Sequence, residues 1–188
     1  MTDPKPWFPI ETERLCLREF RPEDEADIHA YASRADVARY MGWGPNTEDE
    51  TRLFLGQNLE AQTRWPRTDV TLAMALKEDD RVIGAIRLWG VNAEYDTALI
   101  GYVLHRNYWR QGLTSEAARA LVRAGFETLG LHRIIATCDV RNRGSWGVMR
   151  KIGLRREGRF MQDRMVKGTW CDTYSYALLA EEWRAAKV

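Results

Sequence analysis

Tyr108-Trp109-Arg110-Gln111-Gly112-Leu113-Thr114-Ser115-Glu116-Ala117 is the stretch on which the reading of this chain turns. An apolar run, Ala98-Leu99-Ile100-Gly101-Tyr102-Val103-Leu104, precedes it, and a helical pattern runs from Ser115 to Leu129. The order is strand, short glycine-bearing turn, helix. Such a turn leaves several backbone N–H groups at a helix N-terminus without partners inside the helix. With the helix dipole behind them, these amides form an anion site suited to phosphate. Thr114 or Ser115 is placed to cap the helix, and Gly112 lets the backbone approach a ligand with no Cβ in the way. The stretch therefore predicts a phosphate-bearing ligand held on the turn.

Upstream, Arg14 to Phe20 alternates as a strand does, with Leu15 and Leu17 on one face. Pro22 followed by Glu23, Asp24 and Glu25 opens a helix that should end near Ser33. Met41 to Asn46 reads as a loop, and Thr47 to Glu50 as a capping box for a helix reaching Thr63. Val70–Lys77 and Arg81–Val91 form a hairpin around Glu78-Asp79-Asp80, and Asn92–Asp96 connects to the central strand. Downstream, Gly130 closes the central helix and Arg133–Val140 is a short buried strand. A loop over Arg141–Ser145 and a short helix to Ile152 follow. A long hairpin, Leu154–Met165 with Trp170–Leu179, and a helix over Glu181–Ala186 complete the chain. The meander followed by a strand–helix–strand crossover excludes a doubly wound fold. It predicts an α+β domain with a mixed, mainly antiparallel sheet of about seven strands and flanking helices.

Composition bounds the function. At 188 residues the best expectation is one domain over 1–188, with residues 1–9 as a proline-rich arm. A net charge of +1 gives no global field to draw in nucleic acid or an anionic membrane. No apolar run reaches membrane-spanning length, and no signal-peptide layout is present. Cys16, Cys138 and Cys171 are odd in number and far apart, which suggests reduced thiols in a cytoplasm and no zinc site. Trp43, Trp65 and Trp89 are candidates to wall an apolar acceptor pocket. A P-loop is remote, because no Lys follows Gly112 in G-x-x-x-x-G-K-[ST] spacing.

Four features then arrive in order: Ile100-Gly101-Tyr102, Tyr108-Trp109-x-x-Gly112-x-x-x-Glu116-Ala117, Asn142-x-x-Ser145, and Lys151-Ile152-Gly153-Leu154. Together they resemble the GNAT acyl-CoA N-acyltransferases. The opening Ile10 to Arg18 and the tail Gly168-Thr169-Trp170-x-Asp172 are similar to the ribosomal-protein N-terminal acetyltransferase (RimJ/RimL-like) branch. The resemblance implies acetyl-CoA as co-substrate, its pyrophosphate cradled by the amides of Arg110, Gln111, Gly112, Leu113, Thr114 and Ser115. It also implies a splayed strand whose Tyr102, Val103 and Leu104 backbone pairs with pantetheine, and Asn142 as a pantetheine contact. The loop pattern Q/R-x-x-G-x-G/A is matched only in part, with Trp109 in the first slot and Thr114 in the last.

Acyl transfer to an amine needs a neutral amine, a stabilised oxyanion and a tolerated thiolate. The N–H of Val103 or Leu104 is placed to polarise the thioester carbonyl. The position where many relatives carry a tyrosine acid is Met149; the resemblance to the RimL-like branch implies Ser145, at the position those relatives use near the sulfur, as the catalytic candidate, with helix N-cap as its structural alternative. The usual glutamate base position is Leu99. Glu94, Asp96, His105, Asp139 and Asp163 are substitutes, none of which the sequence singles out. A missing base favours an acceptor of low pKa, such as a protein α-amine near ~8, or deprotonation by a water chain. The competing acceptors are small amines, aminosugars and antibiotics. A non-catalytic acyl-CoA-binding module is the competing class, and a second copy of the chain is a candidate partner.

Overall fold

A computed structural model describes residues 7–64, 67, 69–92, 94 and 96–186. In chain order it contains β1 (Ile10–Glu11), β2 (Leu15–Arg18), α1 (Glu25–Ala32), α2 (Ala35–Ala38) and α3 (Glu48–Gln62). β3 (Val70–Leu76), β4 (Val82–Asn92), β5 (Thr97–Leu104), α4 (Leu113–Glu127) and β6 (Arg133–Asp139) follow. α5 (Arg143–Lys151), β7 (Arg155–Val166), β8 (Thr169–Leu179) and α6 (Ala180–Ala185) end the series. Among the described residues the strands form one eight-stranded sheet in the order β1-β2-β3-β4-β5-β6-β8-β7. Every neighbouring pair is antiparallel except β5 and β6. Short turns can return a strand only antiparallel, whereas the α4 crossover brings β6 back parallel to β5.

The strands sort their side chains by a period of two. Leu15, Leu17, Leu72, Met74, Ile86, Leu88, Ala98 and Ile100 face one apolar cluster, which takes in the inner faces of α4 and α5. Ala73, Ala75, Val82 and Ala85 face a second cluster, with Ile28 and Tyr31 of α1 and Leu55 of α3. α4 repeats buried positions at Leu113, Ala117, Leu121 and its neighbours, the stripe expected of a helix lying on a sheet. α3 begins with the capping box expected of its sequence: Glu50 N–H donates to Thr47 Oγ1 at 3.2 Å and Thr47 N–H to Glu50 Oε2 at 2.8 Å.

Three expectations needed correction. The eighth strand is β1, whose two residues are too short for periodicity to reveal; Ile10 and Glu11 pair with Leu17 and Cys16. Residues 1–6 of the predicted arm lie outside the described residues, but Phe8 is buried in the core. The predicted Pro22–Ser33 helix is a 3-10 turn, Pro22–Asp24, leading into α1, and a separate short α2 follows it.

Candidate active site

The turn before α4 is set by two left-handed residues, Arg110 at φ +62° and Gly112 at φ +82°. Gly112 is the N-cap, so the helix starts at Leu113, two residues before the predicted Ser115. Neither Thr114 nor Ser115 caps it; both lie in the first turn, and Ser115 is buried. The first helical bond is Glu116 N–H to Gly112 O, 3.0 Å. The N–H groups of Leu113, Thr114 and Ser115 therefore have no acceptor within the helix.

The chain's own start buttresses this turn, which the sequence did not signal. Arg14 donates Nη1 to Gln111 O at 3.0 Å and Nε to Glu116 Oε2 at 2.8 Å. Thr12 Oγ1 donates to Glu116 Oε1 at 2.6 Å, and the Arg14 N–H to the same oxygen at 2.8 Å. Burial works to raise the Glu116 pKa, but the hydrogen bonds from Thr12 and Arg14 hold it below the usual carboxylate range.

A Cβ on Gly112 would meet only Arg14 Nη2, at 3.6 Å, so space is available and the obstacle is backbone conformation. A β-branched residue held left-handed costs about 1–2 kcal/mol. Gly112→Val should therefore raise the Kd for coenzyme A by about tenfold, as the loop shifts to relieve strain, with a thermal midpoint lower by only a few degrees. Calorimetric titration with coenzyme A measures this; unchanged affinity would refute a cradle at Gly112.

β5 leads into that turn along an opening sheet. Its pairing with β6 ends at Leu99↔Ile135, while β6 continues against β8 to Asp139. From Ile100 onward one edge of β5 is unpaired with β6. His105 N–H donates to Ile83 O at 2.7 Å, and the register continues through Val103↔Ala85 and Gly101↔Arg87. Antiparallel alternation then turns the N–H and C=O of Val103 toward β4, and those of Tyr102 and Leu104 toward the open edge. Val103 is therefore misplaced as a backbone donor on that edge. Leu104 O is already taken, since Trp109 Nε1 donates to it at 2.8 Å. This bond gives the departure at Trp109 a role: the indole ties the turn to the strand end.

Ser145 lies across this edge. Its N–H donates to Asn142 Oδ1 at 3.1 Å, so Asn142 is the N-cap of α5 and the helix begins at Arg143. The capping role expected of Ser145 belongs to Asn142, whose side-chain oxygen is thereby engaged with its own helix. The Ser145 hydroxyl stands 3.4 Å from the Tyr102 phenol, and Tyr102 OH donates to the Ser145 carbonyl at 2.8 Å. Burial pushes the Tyr102 phenol up, so it stays protonated, and pushes the Cys138 thiol up to about 11, against the pull of a Ser145 hydrogen bond. Met149 is buried in the core and Leu99 is half-buried.

The carboxylates and histidine considered as bases do not converge. Asp139 is bound twice by the Arg141 guanidinium, which holds it below the usual range. Asp163 accepts from Thr173 Oγ1 at 2.9 Å. Burial keeps His105 below the usual imidazole range, and its Nδ1 accepts from Asn107 N–H. Glu94 and Asp96 sit at the β4–β5 turn. Among the described residues no three His, Cys, Asp or Glu side chains gather as a metal site, and no helix is long and apolar enough to cross a membrane.

On the α1–α3 face, a cleft of about 970 Å³ opens between these helices and β3–β5 and reaches Gly101–Val103. Trp43, Phe54 and Trp89 line it, as expected for Trp43 and Trp89; Trp65 lies outside the described residues. Two groups there escaped sequence reading. The buried Tyr31 hydroxyl has no hydrogen-bond partner among the described residues, and Asp69 accepts from Arg87 Nη2 at 3.0 Å and Gly90 N–H at 2.8 Å.

A mixed sheet that parts beside a helix N-terminus, with a cleft meeting the parting from the other face, is the arrangement that the resemblance to the GNAT acyl-CoA N-acyltransferases implied. The chain belongs to the GNAT acetyltransferases: the acetyltransferase (GNAT) domain family matches residues 14–155. It is 38% identical over 175 residues to the uncharacterized N-acetyltransferase YnaD of Bacillus subtilis, covering 93% of this chain and 98% of that one. The crystal structure of a GNAT-family acetyltransferase from Bacillus anthracis superposes with a TM-score of 0.83 at 38% identity, covering 92% of this chain and 98% of that one. The ribosomal protein uS5-alanine N-acetyltransferase of Escherichia coli is 25% identical over 107 residues, 56% of this chain and 55% of that one. The protein is accordingly an acetyl-CoA-dependent N-acetyltransferase.

Proposed function

We propose that the protein acetylates a protein N-terminal α-amine by direct attack within a ternary complex, with Ser145 as the acid. The observation that carries this is the Ser145 hydroxyl, freed from capping by Asn142 and 3.4 Å from the Tyr102 phenol at the open edge of β5. The residues present fit acetyl-CoA. Free amides from Leu113 to Ser115 would hold the pyrophosphate, and the open backbone of Tyr102, with the Leu104 N–H, would pair with pantetheine. The α-amine lone pair attacks the thioester carbon from the cleft. A backbone N–H on the open edge meets the developing oxyanion. Collapse breaks the C–S bond, and the thiolate takes its proton from Ser145 Oγ, which regains one from water. The amine proton leaves to water.

The choice of acceptor rests on the absence of a base. Leu99 and Met149 occupy the usual base and acid positions, Asp139 is paired with Arg141, and Asp163 accepts from Thr173. An α-amine near ~8 is partly neutral without help, whereas lysine at ~10.4 is not. The likeness to the uS5-alanine N-acetyltransferase supports the same choice. A thiol-release assay tests it with peptides beginning in Ala or Ser, the same peptides blocked at the N-terminus but carrying Lys, polyamines and aminosugars. Turnover is expected on the free N-terminal peptides, with kcat/KM rising about tenfold per pH unit below ~8 and levelling above it. Turnover on the blocked peptide, or on polyamines alone, would refute the α-amine.

A further inference from the structure

Trp146 Nε1 is buried without a hydrogen-bond partner among the described residues, a state that native proteins rarely leave unexplained. Its side chain lines a cavity of about 510 Å³ between α5, the start of β7 and β8. This cavity shares no lining residue with the cleft that reaches Gly101–Val103. On α5, Arg143, Trp146 and Arg150 recur at spacings of three and four, which places them on one helix face. Lys151, by contrast, offers its carbonyl to Arg119 of α4, at 3.1 Å.

The lining is basic and aromatic, with no acidic side chain in it. Arg155 is ion-paired to Glu157 and Glu182. Arg143, Arg150 and Arg156 meet no carboxylate among the described residues, although many of the other arginines do. Arg156 instead lies over the Tyr174 ring, 4.8 Å from its centroid. Guanidinia gathered without counter-charge repel one another until an anion joins them, and their fork matches phosphate oxygens. Ring faces and a stacked guanidinium offer surfaces for a planar group. The volume falls in the range of small-molecule sites.

We infer that this cavity binds a nucleoside polyphosphate, separately from acetyl-CoA, with the arginines on the phosphates and the aromatic side chains on the base. The test is calorimetric titration of the intact protein with ADP in saturating coenzyme A, alongside inorganic pyrophosphate, adenosine and a single-stranded RNA oligonucleotide. ADP is expected to bind one-to-one, more tightly than pyrophosphate or adenosine. A double variant, Arg150→Glu with Arg156→Glu, should raise its Kd by at least ~10-fold, with circular dichroism and the KM for acetyl-CoA unchanged. Loss of ADP binding in the presence of coenzyme A would overturn the separate site. So would the absence of ADP binding, equal binding of pyrophosphate, binding of the RNA alone, or a folded double variant that binds ADP as the parent does.

Discussion

Ser145→Ala lowers kcat by about 10²-fold and leaves the KM for acetyl-CoA within about twofold. The expectation follows from what the hydroxyl does and does not touch. Capping of α5 is performed by Asn142, so removal of the hydroxyl leaves the helix start intact. The Tyr102 phenol donates to the Ser145 backbone carbonyl, which alanine keeps, so the phenol stays in place. What disappears is the proposed proton donor for the departing thiolate. Tyr102→Phe is the companion variant: it keeps the ring in place and removes only the hydroxyl that accepts from Ser145 Oγ and donates to the Ser145 carbonyl. It should cost less than Ser145→Ala. Steady-state kinetics under saturating acetyl-CoA measures both. Equal activity of Ser145→Ala would remove the hydroxyl from catalysis, and a larger loss in Tyr102→Phe would make the phenol the acid.

Asp24→Ala is expected to lower the free energy of unfolding by about 3–5 kcal/mol, because it strands a buried guanidinium. Arg18 and Asp24 are each only 7% exposed in their side chains, and they meet as a two-pronged pair at 2.8 and 2.9 Å. Arg18 also reaches Asp80 at 2.9 Å, and the second Asp24 role is to accept the Arg21 N–H at 2.8 Å. The pair joins the end of β2 to the 3-10 turn that starts α1, and α1 carries Ile28 and Tyr31 into the cleft. A stability loss of that size corresponds to roughly 10 °C in the thermal midpoint for a chain of this length. The acceptor KM should rise at temperatures where α1 loosens. Asp24→Leu combined with Arg18→Met should recover most of the loss, since replacing both partners removes the uncompensated charge. Urea denaturation read by circular dichroism settles the matter; a loss below about 1 kcal/mol in the single variant would mean that Asp80 alone holds Arg18.

The glycine turn was legible because its chemistry is local. Gly112 at positive φ, followed by a helix with apolar positions on one face, carries its meaning within a few residues. The same holds for the Thr47–Glu50 capping box, the alternating strand β2 and the apolar runs of β3 to β6, which need no distant partner to be seen. Local signals failed where two solutions compete over one or two residues. Thr114, Ser115 and Ser145 all have capping chemistry, yet Gly112 and Asn142 took the N-cap positions, because helix start is set by backbone geometry and by which oxygen reaches the free amides. β1 escaped because two residues carry no period.

The sequence by itself determined the α+β class, the family, the order of elements and the glycine turn before the central helix, since these rest on spacing and residue type along a continuous stretch. Only the tertiary structure decided which backbone groups face the open edge of β5, since that depends on register against β4 and on where β6 stops pairing. It alone brought Arg14 and Thr12 onto Glu116, about a hundred residues away in sequence. It alone set the Ser145 hydroxyl beside Tyr102 and gathered the α5 arginines with those of β7. Contacts of this kind follow from how the packed sheet places separate segments together, and no periodicity in the chain encodes the pairing.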